Sequence, residues 1–179
     1  MEDPLPTPLI NSGRLISSLR AAEAWLLCSL RLVAASYRGH VSLTVCEQGF
    51  IAAHIPLPVC SAFKAAIDII AVSMRCQLDF RQPDDYEISA DEERFLGTVR
   101  ALQNNDEFSA ARFLRPWLPP AAVRLVLAHL DTLASGMNLV GLRLAKLHHP
   151  ACPMYALAQR RLSELDNGFE AIPQPVWLN

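Results

Sequence analysis

Charge is the first scarcity in this sequence. Aspartate, glutamate, lysine and arginine make up 19% of its 179 residues, where about 25% is ordinary. The net charge of −2 supplies no field that would draw the chain to nucleic acid or to anionic lipid. Glycine is sparse as well. The seven glycines are scattered singly, and neither GxGxxG nor GxxxxGK is present to cradle a phosphate. GxSxG and HExxH are missing too. No catalytic residue and no cofactor is therefore assigned, and a non-enzymatic protein is expected.

Cysteine is present but unorganised. Residues 28, 46, 60, 76 and 152 are an odd number without a CxxC pair, which points to reduced thiols in a cytoplasmic setting. Cys46, His54, Cys60 and Cys76 match no zinc-finger or ribbon spacing and read as small buried hydrophobes. No apolar run is long enough to cross a membrane: Arg20, Glu23 and Arg31 interrupt the first candidate, Lys64 and Asp68 the next. The first residues, MEDPLPTPLINSG, lack the basic start and apolar core of a signal peptide.

What the chain has is apolar periodicity. From Arg14 to Tyr37, Leu15, Ala22, Leu26 and Val33 fall in one stripe at 100° per residue, flanked by Leu19, Leu30 and Tyr37. Arg20, Arg31 and Arg38 collect on the far side. The spacing predicts a long amphipathic helix that organises the bundle, opened by Asn11 or Ser12 and closed at Gly39. A second helix is expected over 41–54 and a third over 59–78, separated by Pro56-Leu57-Pro58. Lys64 and Asp68 stand four apart on the third, where they can pair.

Residues 79–88, DFRQPDDYEI, read as a polar connection. Ser89 and Glu92 then form a capping box, each side chain reaching the other's backbone amide, and a helix runs to Gln103. A short helix, 106–114, should turn Phe108, Ala111 and Phe113 inward. After the Pro116 to Pro120 turn come a helix over 121–134, a break at Ser135-Gly136, a continuation to His149, and a last helix over 154–165. The chain is all-α, a single-domain bundle of about six to eight helices with proline-broken connections. Residues 1–13 form a mobile arm, 14–149 the helical domain, and 150–179 a closing helix and proline-containing tail.

Three constellations could carry function. His148, His149 and Cys152 are possible ligands of a metal or a haem iron. Their number and closeness fit a helix end stopped by proline better than a closed four-ligand site. Residues 120–149 can be read as helix, turn and helix, with Arg143 and Lys146 facing nucleic acid. The section from Arg94 to His149 holds seven Lys and Arg against three acids, about +4. Its second helix is leucine-dense, which favours a core hairpin instead. The acidic run from Asp84 to Glu93 lacks the order of a calcium loop.

The favoured reading is a protein-interaction or self-associating module. A protein partner or a homo-oligomer is expected in preference to nucleic acid, through Arg20, Arg31, Arg38, Trp117 and Trp177. The leading helix, the proline-broken pair, the capped helix at ISADEERFL and the closing pair together resemble a small bacterial family of helical proteins of unknown function, over residues 14 to about 145. That resemblance implies an intracellular helical fold. It carries no activity, cofactor or functional residue.

Overall fold

The computed structural model describes residues 14–39 and 42–144. Chain contacts separate Met1–Ala145 from Lys146–Asn179, and the described residues all belong to the first of these units. Six α-helices are found there: α1 (Ala21–Tyr37), α2 (Leu43–Ala52), α3 (Leu57–Ser73), α4 (Ala90–Gln103), α5 (Glu107–Leu114) and α6 (Pro120–Leu139). The fold is an all-α bundle. The last expected helix, over 154–165, lies outside the described residues.

The chain enters differently from its periodicity. Leu15 pairs with Glu87 in an isolated antiparallel bridge. The amide of Ile16 donates to the carbonyl of Tyr86, and that of Ile88 to the carbonyl of Arg14. Those bonds hold Arg14 and Leu15 against residues 86–88, so the continuous helix expected from Arg14 is replaced by a short 3-10 turn, Ile16–Ser18, and α1 starts only at Ala21. Glu23 then closes the first turn by accepting from the Arg20 amide at 3.2 Å.

The proline-rich junction opens a helix earlier than expected: α3 takes in Leu57 and Pro58 and ends at Ser73, short of residue 78. Pro58 occupies the first turn of α3, where its missing amide leaves no bond unmade. Ser42 and Asp106 cap α2 and α5 through their side chains. Ser89 and Glu92 form both halves of the box that opens α4. Lys64 pairs at 3.1 Å with Glu47 on α2 rather than with Asp68, tying the two helices together. On α5 Ala110 and Leu114 are buried, Ala111 packs half-buried against the core, Phe113 sets its ring against Gly97 of α4, and of the residues expected inward Phe108 alone stands exposed.

Helix α6 is longer than expected, and it is the true hub. The break predicted at Ser135-Gly136 does not occur; α6 runs unbroken to Leu139. Gly136 serves instead as a notch, because a Cβ there would lie 2.7 Å from both methyls of Val59 on α3. The most extensive packing among the described helices is between α3 and α6, and α6 also touches α4 and α5. The leading helix packs mainly on α2 and α4. Gly141, at φ +79°, turns the chain after α6. Aromatic rings run through the core from Trp25 on α1 to Phe50, Phe63 and Phe95 on the next three helices, with centroids 4.9, 5.7 and 6.2 Å apart in turn.

Candidate functional site

Polar chemistry is concentrated where the segment 79–89 crosses α1. Arg31, expected on an exposed stripe, has no solvent exposure at all. Its Nε and Nη2 donate to the two oxygens of Glu92, each at 2.8 Å. Nη1 donates to the carbonyls of Gln82 at 3.1 Å and Asp85 at 2.6 Å, and Nη2 to that of Glu87 at 2.6 Å. All five guanidinium N–H groups are used. Glu92 is equally saturated, since it also accepts from the amides of Arg81 at 3.0 Å and Ser89 at 2.9 Å. A bare buried ion pair contributes little beyond a hydrophobic pair of the same shape. This one differs because it also satisfies the carbonyls of Asp85 and Glu87 and the amides of Arg81 and Ser89.

The acidic run around it is spent in the same way. Asp91 accepts from the Asp79 amide at 2.9 Å and from the Trp117 indole at 3.1 Å. Asp85 accepts from the Glu87 amide and from Arg81, and those bonds, the amide first, hold its carboxyl below the usual carboxylate range. Ser89 Oγ donates to the Asp79 carbonyl. Beside this strap, Glu23 accepts from Arg100 at 2.7 Å and lies 3.5 Å from Arg14, which in turn meets Glu93 at 2.9 Å. Nε and Nη1 of Arg100 have no hydrogen-bond partner among the described residues.

The residues singled out from sequence are dispersed. Arg20 is exposed at the start of α1, Arg31 is buried, and Arg38 is exposed, its guanidinium donating to the Phe80 carbonyl at 3.0 Å. They form no common stripe, because the strap covers the middle one. Trp117, expected as a surface anchor, is 1% exposed and packs its ring against Phe80, with centroids 6.1 Å apart. Its indole bond to Asp91 makes it a core brace. Arg143 is exposed beyond α6, but the turn needed for a recognition helix is helical. Lys146, His148, His149, Cys152 and Trp177 lie outside the described residues. No group of three or more metal-ligating side chains occurs among the described residues.

What remains for function is the surface. Large apolar side chains stand exposed on α2 (Val45 and Ile51), at the start of α3 (Leu57), and on Tyr37 and Met74. The last two border a groove of about 170 Å³ where the ends of α1 and α3 meet the strap, floored by Ile67, Ile70, Leu78 and Phe80. A wider depression of about 430 Å³ between α6 and the α4–α5 turn is lined by Asn105, Glu107, Arg124 and Asp131. Its charges are of both signs. No helix of the described residues is long and apolar enough to cross a membrane. No protein-family model, curated protein or solved structure matches the chain.

Proposed function

We propose that this protein is a non-catalytic helical module that acts by binding another protein or a second copy of itself. The observation that carries the reading is a division of labour in the side chains. Charged groups at the strap are consumed in holding the fold, whereas Val45, Ile51, Leu57, Tyr37 and Met74 are left in water. Tyr37 and Met74 line one groove with Ile67, Ile70 and Phe80, and contiguous exposed apolar surface marks interaction sites. The reading also places the chain in the cytoplasm. In its support, Cys28, Cys46, Cys60 and Cys76 are all free thiols.

The test is affinity capture from cell extract with purified wild type, Ile51→Glu and Met74→Glu, beside sedimentation of each alone. Association or capture that one of the charged variants abolishes, at unchanged melting temperature, is the expected result. A wild-type chain that neither self-associates nor captures anything the variants lose would overturn the proposal.

A further inference from the structure

The groove where the ends of α1 and α3 meet the strap joins an apolar floor to a single charge. Ile67, Ile70, Leu78 and Phe80 make the floor, and Arg38 is the one lining residue that is charged at neutral pH. Its guanidinium donates to the carbonyls of Phe80 at 3.0 Å and Arg81 at 3.5 Å. Those bonds fix the group at the edge of the floor and leave three of its five N–H donors free. No carboxylate pairs with it among the described residues. Asp79, which stands between two floor residues in the chain, pairs with Arg81 instead at 3.3 Å.

The volume, about 170 Å³, decides what can enter. Sites for whole small molecules run to about 300–1,000 Å³, whereas an apolar cavity of about 150 Å³ holds a single benzene ring. This groove therefore takes one aromatic or branched aliphatic side chain. Charge sets what stands next to it. The unused donors of Arg38 match a carboxylate, which a guanidinium binds with paired, charge-assisted hydrogen bonds. A basic segment would meet Arg38 as a like charge. An anionic membrane calls for several cations together, and the lining has one.

We infer that this groove is the docking site of an acidic peptide segment of another protein. One large apolar side chain of that segment sits on the floor, and an adjoining aspartate or glutamate pairs with Arg38. The inference rests on the association reading above and deepens it by naming the site and the partner's chemistry. Met74, exposed at the edge, suits such a place because its unbranched side chain repacks around what enters. Tyr37 adds a ring with a polar tip at the same edge.

The test is a peptide selection with a charge reversal. Random peptides displayed in many copies on phage, so that avidity retains weak binders, are selected on the full chain, on Arg38→Glu and on Ala71→Trp. Ala71 is an exposed residue of the groove lining, and tryptophan there fills the space. Melting temperatures control for folding, with Arg38→Gln and Met74→Glu as replacements for a variant that melts early. Wild type enriches peptides that carry a large apolar residue beside Asp or Glu. Ala71→Trp enriches none of these, and Arg38→Glu enriches the same anchor beside Lys or Arg. Changing the acid of the best peptide to its amide weakens binding about tenfold, as loss of one charge-assisted hydrogen-bonded pair does, and Arg38→Gln gives the same loss. Enrichment of nothing, of anchors without an acid, or of peptides that bind Ala71→Trp equally well overturns the inference. Octanoate that binds more tightly than the best peptide makes the groove a small-ligand site, and self-association that Ala71→Trp abolishes puts a second copy there. Either result overturns the inference as well. Ile51 lies outside the groove lining, so association that Ile51→Glu abolishes would still uphold the reading on which the inference rests.

Discussion

Arg31→Ala is the perturbation that most directly tests the physical account. From periodicity alone this arginine lies opposite Leu26, and its removal would be expected to cost less than about 0.5 kcal/mol, as for an ordinary surface site. The structure reverses that expectation. The substitution removes five donated bonds, two of them to Glu92 and three to the carbonyls of Gln82, Asp85 and Glu87. Glu92 keeps only its amide partners at Arg81 and Ser89 and stays buried with its charge. Breaking a buried pair from one side costs about 3–5 kcal/mol. For a chain of this length that lowers the melting temperature by roughly 6–20 °C. The assay is denaturant unfolding of wild type, Arg31→Ala and the double variant Arg31→Leu/Glu92→Leu. An isolated ion pair replaced on both sides by leucine would recover wild-type stability. Here the double variant should not, because the carbonyls of Asp85 and Glu87 and the amides of Arg81 and Ser89 lose their partners, and the Gln82 carbonyl keeps only the Asp85 amide. Amides of the strap should also exchange faster in both variants. A midpoint unchanged by Arg31→Ala, or a double variant as stable as wild type, would refute the view that this pair positions residues 79–89.

Gly136→Ala should destabilise by about 1–3 kcal/mol through overpacking, since Val59, stiff at its branched Cβ, lies 2.7 Å from the added methyl. Adding Val59→Ala should recover part of that loss in the same thermal melt, and a neutral Gly136→Ala would show that α3 and α6 pack less closely. Ser89→Ala should cost about 2 kcal/mol, at the upper end for a helix cap, because the hydroxyl also donates to the Asp79 carbonyl. A loss below about 0.5 kcal/mol on chemical denaturation would remove the serine from the box. Cysteine labelling of the folded protein at pH 8, mapped by mass spectrometry, should mark the exposed Cys28 and Cys76 and spare Cys46 and Cys60. Burial, with the neighbouring Cys60 thiol second, pushes Cys46 up to about 12, leaving about one thiolate in ten thousand. Rapid modification of Cys46 would mean that α2 opens from the bundle.

The sequence by itself determined the elements whose causes are local. The Ser89–Glu92 box and the close of α4 at Asn104 depend on groups within one turn of each other, and both stand where their chemistry puts them. The all-helical class follows from the same kind of information, repeated at each amphipathic segment. Leu26, Leu30 and Val33 are buried as their spacing required.

What lay beyond the sequence was decided by partners far along the chain. Gly136 reads as a break in one dimension and becomes a notch only because Val59, on another helix, needs the space. Residues 14–20 have helical periodicity, yet backbone bonds to 86–88 hold the first of them extended. Periodicity reports which side of a helix is apolar, and it cannot report that the polar side will be covered. Arg31 is the clearest case. It is an exposed charge by every local criterion, and it is buried because a polar strap from 51 to 61 residues away supplies the carboxylate and carbonyls that compensate its desolvation. The same logic moves Trp117 from the surface to the core. Its indole finds Asp91, and a long-range hydrogen bond of that kind depends on a folded chain to bring donor and acceptor together.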